Sequence, residues 1–160
     1  MRFIQYLCLS LLVGCAPGNW TFKEENDYFS PLNWDSEYTQ GVSLEREHEH
    51  KTWAAGQRIY TPRHKWEPVP VPGERPYSGL FYVEHSRRSV LAPDLLWYYG
   101  GTVGLVGPGA LGKEAQCGVH AMLGQRCPAA WHTQLDNEPV AALTSTIKSQ
   151  EVATLLGKVG

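Results

Sequence analysis

Apolar and polar side chains alternate along several segments of the chain. Residues 38–46 and 53–60 show a period of two, and residues 77–83 and 95–106 are rich in aromatic, glycine and β-branched residues. A period of two with one apolar face is typical of β-strands, and segments of about 10 residues suit the strands of a barrel. The pattern therefore predicts an all-β, antiparallel protein.

Several stretches depart from this pattern. Residues 61–75 are polar and rich in proline, which excludes a central strand because proline cannot donate to a β-ladder. The Gly-Pro-Gly sequence at residues 107–109 ends the preceding strand, and residues 110–127 predict short helical stretches around His120. Over residues 144–160 the alternation is lost, and the spacing of the apolar residues predicts a weak helix.

The composition narrows the class of β protein. Hydrophobic residues make up 42% of the chain and the formal net charge is −2, so no basic balance favours nucleic-acid binding. The chain holds six tryptophans and eight tyrosines, which favour membrane–water interfaces. No later apolar stretch reaches the roughly 18 residues of a membrane-spanning helix. The alternation alone also fits a soluble β-sandwich, and the aromatic content and an export signal favour a membrane barrel.

Residues 1–15 carry that export signal. Arg2 precedes an apolar run over residues 7–13, which is too short to span a bilayer. The sequence Leu-Val-Gly-Cys that ends at Cys15 also fits a bacterial lipobox, and cleavage by ordinary signal peptidase is the alternative. We therefore expect a signal peptide over residues 1–15, with a lipobox candidate at Cys15, and a partial barrel domain over residues 16–160.

The number of strands is too small for a closed barrel. About five or six strands fit the sequence, whereas transmembrane barrels close with at least about 8. An open sheet edge cannot face lipid, because its backbone N–H and C=O groups would lack partners. We interpret the sequence as the incomplete N-terminal part of a transmembrane β-barrel. The alternatives are completion of the barrel by other chains and a fold that is not a barrel.

Cysteine usage adds one candidate bond. Cys8 and Cys15 fall in the export signal, which leaves Cys117 and Cys127 as a candidate disulfide in an oxidising compartment. Spacing alone does not establish that bond. The spacings between cysteine and histidine match no zinc-site pattern.

Polar residues in strand-like surroundings are the candidates for chemistry. Asn26 and Asp27 end the first strand-like segment, and Thr39 belongs to the next. Lys65 lies in the proline-rich stretch and His120 in the helical stretch. Each has an ordinary explanation as a turn dipeptide, a β-forming threonine, a solvated lysine or a structural histidine. The sequence has no G-x-S-x-G, Walker or HExxH motif, so those enzyme classes gain no support.

Several short motifs occur together in one order. They are Glu25-Asn26-Asp27-Tyr28-Phe29, Tyr38-Thr39-Gln40-Gly41, Gly56-Gln57-Arg58-Ile59-Tyr60-Thr61-Pro62, Arg75-Pro76-Tyr77-Ser78-Gly79, Gly104-Leu105-Val106-Gly107-Pro108, Glu114-Ala115-Gln116 with His120, and Trp131 with Gln134. Each motif alone is weak. Their shared order and spacing over residues 20–139 resemble the LpxR-type lipid A deacylase family.

This resemblance implies a bacterial outer-membrane barrel of about a dozen strands, of which the chain matches the N-terminal half. It also implies hydrolysis of the 3'-linked acyloxyacyl ester of lipid A, with lipopolysaccharide as the substrate and outer-membrane lipid as the surroundings. Transferred motif by motif, the catalytic residues would be Asn26, Thr39, Lys65 and His120, and the metal ligand would be Asp27.

The chemistry that the resemblance implies is hydrolysis by an activated water. His120 would be the general base that takes a proton from this water. Asp27 would help to hold Ca2+, a hard cation that would polarise the carbonyl and stabilise the oxyanion. Asn26 would orient the cation site or the oxyanion, and Thr39 would position a neighbour or the substrate. Lys65 would bind substrate phosphate or developing negative charge.

The alternative is a non-catalytic outer-membrane or periplasmic β protein, or a lipoprotein, with a structural or binding role. The motif residues favour the enzyme, whereas the short length and the tail from about residue 144 favour this alternative for the polypeptide itself. The sequence does not determine the oligomeric state.

Overall fold

The computed structural model describes residues 7–9, 18–26 and 39–149. These residues form one antiparallel sheet in which each strand pairs with the next along the chain. The strands are β1 (Leu7–Leu9), β2 (Asn19–Asn26), β3 (Gln40–His48), β4 (Lys51–Tyr60), β5 (Ser78–Ala92), β6 (Leu95–Val106) and β7 (Glu138–Ser149). The helix α1 (Gly112–Met122) lies in the connection from β6 to β7. Within the described residues the sheet is open at β1 and β7, which confirms an all-β antiparallel fold that corresponds to an incomplete barrel.

One face of the sheet is apolar. Residues that pair across strands point to the same side of a sheet, and successive residues of a strand point to opposite sides. This apolar face carries Phe22, Leu44, Trp53, Ala55, Phe81, Val83, Val103, Leu105 and Leu143. Val103 is 62% exposed and Leu143 is 95% exposed. Large exposed apolar side chains over much of a sheet face suit contact with lipid.

The opposite face is polar, and its side chains form ion pairs and cation–π contacts with one another. Lys23 Nζ lies 2.7 Å from Glu45 Oε1. The guanidinium of Arg58 lies 4.8 Å from the centre of the Tyr82 ring. Strands that alternate between an apolar and a polar face are typical of outer-membrane barrels, whose interior is polar.

Short and long connections lie at opposite ends of the sheet. Residues 49–50 join β3 to β4, and residues 93–94 join β5 to β6, at what we call the short-turn end. Residues 61–77 and 107–137 form longer connections at the other end, which we call the long-loop end. In outer-membrane barrels the short turns face the periplasm and the longer loops face outward.

Aromatic side chains border the apolar face toward the short-turn end. The rings of Trp53 and His85 stack with centroids 4.2 Å apart. The rings of Trp97 and Tyr99 lie 4.4 Å apart, and Trp97 Nε1 donates to Ser145 Oγ over 2.9 Å. Aromatic rings that are apolar on one side and hydrogen-bonded on the other suit the boundary between lipid tails and water.

The structure corrects one predicted element. The predicted strands, the proline-rich connection and the helical stretch around His120 are confirmed. The weak helix predicted from residue 144 is wrong for residues 144–149, which belong to β7. This strand pairs with β6 along its whole length, and its threonines and Ile147 favour an extended backbone. Residues 150–160 lie outside the described residues.

The predicted export segment is described only in part. Residues 7–9 pair with β2 as strand β1. Cys15 and the remainder of residues 1–15 lie outside the described residues, so the division at residue 15 stays a prediction. The candidate cysteine pair, Cys117 and Cys127, forms a disulfide. Among the described residues, no helix has the length and apolar character needed to cross a membrane.

Candidate active site

The predicted catalytic residues lie at the long-loop end of the sheet. Asn26 ends β2 beside the first residue of β3, and Thr39 directly precedes β3. Lys65 lies in the connection from β4 to β5, and His120 lies on α1 in the connection from β6 to β7. The meander of antiparallel strands therefore brings residues that are far apart in the sequence to one end of the fold.

A small buried core fixes the two long connections to the sheet. Ile59, Tyr77, Ala130 and Trp131 form this core, and none of them is more than 2% exposed. The rings of Tyr77 and Trp131 lie 4.9 Å apart. Because packed core positions leave little room for movement, this core holds both connections against the ends of β4 and β5.

Two glycines allow α1 to approach the sheet closely. A Cβ atom on Gly79 would lie 2.9 Å from the backbone nitrogen of Gly112, and a Cβ on Gly112 would lie 2.8 Å from the Cα of Gly79. A larger residue at either position would push the first turn of α1 away from β5. The glycine pair therefore sets the position of the helix that carries His120.

A backbone carbonyl orients the ring of His120. Its Nδ1 lies 2.7 Å from the backbone oxygen of Arg126. A carbonyl oxygen only accepts, so Nδ1 donates and the neutral ring carries its lone pair on Nε2. The disulfide from Cys117 to Cys127 and a 2.7 Å hydrogen bond from Gln125 N to His120 O hold the turn that carries this carbonyl. His120 is thus held in the tautomer that a general base needs at Nε2.

The backbone of Lys65 is fixed from two sides. The hydroxyl of Tyr77 donates to the Lys65 carbonyl over 2.7 Å, and the Ala129 amide donates to it over 3.1 Å. Burial raises the pKa of Tyr77 to about 12, so this hydroxyl keeps its proton at neutral pH. The side chain of Lys65 is half-buried, and burial lowers its pKa below the ordinary value for lysine.

Trp66 links Lys65 to His120. The ring of Trp66 lies 6.1 Å from the ring of His120, centroid to centroid. Lys65 Nζ lies 5.8 Å from the centre of the Trp66 ring, and the guanidinium of Arg126 lies 6.0 Å from it. We call these four residues the basic platform. Two cations beside an oriented histidine favour the binding of an anionic group next to a proton acceptor.

Thr39 is buried and tied to the end of β4. Its Oγ1 lies 2.6 Å from Oγ1 of Thr61, and its amide donates to the Ile59 carbonyl over 2.9 Å. Thr39 is 9% exposed and Thr61 is fully buried. A buried hydroxyl pair of this kind holds neighbouring backbone in place, which agrees with a positioning role.

The predicted calcium site lies only partly within the described residues. Among them, no group of three or more histidine, cysteine, aspartate or glutamate side chains is placed to hold a metal ion. Asp27, the predicted Ca2+ ligand, directly follows β2 and lies outside the described residues. The predicted role of Asp27 therefore stays a prediction.

The structure shows a further buried polar residue near the predicted site residues, Gln116. This side chain is 2% exposed, and its Oε1 accepts from Trp131 Nε1 over 2.8 Å. Its Nε2 has no hydrogen-bond partner in the described part of the chain. Gln116 stands four positions before His120, so both lie on one face of α1. That spacing was visible in the sequence, but only the fold shows that Gln116 is buried beside Trp131.

The sequence matches the family described as "Outer membrane protein LpxR" over residues 5–155. The chain belongs to the LpxR family. Membership confirms the resemblance seen in the motifs, and it supports the expected location in the outer membrane.

A solved structure, LpxR from Salmonella typhimurium, has the same fold. It is similar to this chain with a TM-score of 0.74 at 22% sequence identity. The match covers 80% of this chain and 50% of that one, so the chain spans about half the length of the LpxR structure that it matches. No curated protein matches the sequence.

Proposed function

We propose that the chain carries the active site of a lipid A 3'-O-deacylase, which hydrolyses the 3'-linked acyloxyacyl ester of lipid A in the outer membrane. Membership of the LpxR family supports a lipid A deacylase role. The single observation that carries the chemistry is the hydrogen bond from His120 Nδ1 to the Arg126 carbonyl, 2.7 Å long, beside the basic platform.

His120 is the general base of the proposed reaction. With its proton on Nδ1, the ring accepts a proton at Nε2 from a water that attacks the ester carbonyl. The Arg126 carbonyl then stabilises the imidazolium, because it accepts from Nδ1 in both protonation states. The water's oxygen bonds to the acyl carbon, and the ester oxygen leaves with a proton that His120 returns.

Lys65 and Arg126 bind the negative charge of the substrate. Both cations lie close to the ring of Trp66: Lys65 Nζ is 5.8 Å from its centre and the guanidinium of Arg126 is 6.0 Å from it. The phosphate groups of lipid A fit such a pair of donors, and Trp66, which is 49% exposed, offers an apolar surface beside them. The long-loop end faces outward in an outer-membrane barrel, the side on which lipopolysaccharide lies.

Asn26, Thr39 and Asp27 complete the proposed site. Thr39 positions the start of β3 through its bond to Thr61. Asn26 stands at the neighbouring end of β2 and would orient the group that binds the developing oxyanion. Ca2+, when bound through carboxylate oxygen at Asp27, would supply Lewis-acid polarisation of the ester carbonyl.

The proposal is tested in cells by mass spectrometry of lipid A. Cells that express the full chain are expected to show lipid A lacking the 3'-linked acyloxyacyl group, and the variant His120→Gln should leave lipid A unchanged. His132→Gln is the matched control, because His132 is an exposed histidine in the same connection. Unchanged lipid A in cells whose outer membrane contains the folded wild-type chain would contradict the proposal.

A non-catalytic outer-membrane protein is the second candidate. The observation that favours it is the basic platform, because Lys65 and Arg126 can bind an anionic lipid without any hydrolysis. If the chain is inserted and binds lipid A without hydrolysing it, this second function is supported. The two candidates therefore differ in the acylation of lipid A and not in its binding.

A further inference from the structure

A groove crosses the apolar face near the short-turn end, away from the candidate active site. Gly100 and Gly101 line its floor, and the absence of a side chain on Gly101, which lies on the apolar face, leaves a gap. Trp53 and His85 form one wall, and Leu143 forms the other. Its volume is about 660 Å³. Sites for small molecules commonly measure about 300–1,000 Å³.

Contacts within the sheet maintain the walls of this groove. The Trp53 and His85 rings stack at 4.2 Å, and His85 Nδ1 donates to the Thr52 carbonyl over 3.2 Å. A Cβ atom added to Gly101 would meet Leu143 Cδ2 at 3.4 Å, so a side chain at this position would fill the gap. The groove therefore depends on glycine at position 101.

The chemistry of the groove changes along its length. Val83 and Val103 line it toward the middle of the apolar face. Arg87 and Tyr99 line it toward the short-turn end, and Lys51 pairs with Arg87 across β4 and β5. Paired residues lie on the same face, so two cations stand where the apolar lining stops. An apolar slot that ends in positive charge matches a hydrocarbon chain with an anionic headgroup.

We propose that this groove binds an acyl chain of an anionic glycerophospholipid, with the lipid phosphate at Arg87 and Lys51. The aromatic rings of Trp53 and Tyr99 place the mouth of the groove at the level where lipid headgroups begin. Because short turns face the periplasm, the lipid belongs to the leaflet on that side. The inference depends on the sheet lying in the outer membrane and is independent of the deacylase reaction.

Quenching of Trp53 by brominated lipids tests the inference. The full chain is folded in neutral detergent micelles that contain phosphatidylglycerol or phosphatidylethanolamine, each brominated on the acyl chains. The difference between the wild type and Trp53→Phe isolates the signal of Trp53 from those of the other tryptophans. We expect the anionic lipid to quench Trp53 at a mole fraction at least about fivefold lower than the zwitterionic lipid, because each cation near the headgroup favours anionic lipid by about that factor.

Three variants separate a specific site from general contact with lipid. The double variant Lys51→Gln with Arg87→Gln should abolish the preference for the anionic lipid. Lys148→Gln removes a cation from the polar face, where Lys148 lies 5.0 Å from the ring of Tyr98, and should keep the preference. Gly101→Leu should weaken quenching by both lipids because it fills the groove.

Equal quenching by the two lipids, or a preference that survives in the double variant Lys51→Gln with Arg87→Gln, would overturn the inference. Absence of any quenching that depends on Trp53 would overturn it as well. Unchanged lipid A in expressing cells contradicts the proposed function only, so the two failures are distinguishable.

Discussion

The proposed chemistry depends on where the fold places a few single residues. The sequence could point to His120 only through its place in a set of motifs, because one of six histidines carries no signal alone. The hydrogen bond to the Arg126 carbonyl is formed by a turn whose position depends on the fold, and no spacing rule would predict it. Trp66 and Arg126 were missed for the same reason. They lie in different connections and meet only because the same core holds both connections.

The charge of Lys65 gives a prediction about pH. Burial lowers the pKa of Lys65. Lys65 therefore loses its proton at a lower pH than an exposed lysine does. We therefore expect KM for lipid A to rise with pH on the alkaline side, while Lys65→Arg keeps its charge and shows a flatter profile. Lys113→Arg, at an exposed position on α1, is the control. An alkaline limb that is the same in wild type and Lys65→Arg would reject this role.

Gln116 gives a prediction about stability. In Gln116→Leu the buried Trp131 Nε1 loses its acceptor, and an unsatisfied buried donor costs about 1–3 kcal/mol. Urea unfolding, followed by the β-sheet signal in circular dichroism, should show that the free energy of unfolding falls by that amount. The double variant Gln116→Leu with Trp131→Phe should lose less than the sum of the two single variants. Additive losses would show that the hydrogen bond contributes nothing.

Elements show where sequence patterns succeed and where they fail. β3 and β4 were predicted from alternating apolar and polar residues, which is the pattern that a two-sided sheet imposes. β6 and the first part of β5 were predicted from their aromatic, glycine and β-branched residues. β7 was not predicted, because the run from Thr144 lacks that alternation and every residue of the strand is exposed. Its extended form comes from pairing with β6, which is a contact across the sequence and not a local preference.

The helix α1 gives a prediction about its disulfide. The bond from Cys117 to Cys127 closes the turn that carries the Arg126 carbonyl. In the double variant Cys117→Ser with Cys127→Ser, we expect the sheet to form and the orientation of His120 to loosen. Because a general base contributes about 10²–10⁴-fold, partial loss of its orientation should lower kcat by at least about tenfold.

Hydrogen exchange by mass spectrometry gives the matched measurement for this variant. Exchange should rise over α1 and the turn that follows it, and should stay unchanged in β4 and β5. Full activity together with rapid exchange in α1 would show that the disulfide does not serve the base.

In the whole molecule, the apolar sheet face is separate from the end that carries the proposed active site. The apolar face and its aromatic border suit a bilayer, and the polar connections at the long-loop end carry His120 and Lys65. Membership of the LpxR family was predictable because the order of motifs survives over residues 20–139. The number of strands could not be predicted, because β1 falls in a segment whose apolar run is typical of an export signal.

Metal dependence is a property of the whole site and gives a further prediction. If Asp27 holds Ca2+, removal of the ion by EDTA should abolish deacylation, and excess Ca2+ should restore it. Mg2+ should restore it poorly, because it demands six ligands at short distance and releases water reluctantly. Asp27→Asn should raise the Ca2+ concentration needed for half-maximal activity. Full activity in EDTA would exclude a calcium mechanism.

The most direct test of the account uses the purified full chain and purified lipid A in mixed micelles, with mass spectrometry of both products. The account predicts release of the 3'-linked acyloxyacyl group with one atom of 18O from labelled water in the freed carboxylate. Release should be lost in His120→Gln and kept in His132→Gln. No release by the folded wild-type chain, or equal release by His120→Gln, would contradict it.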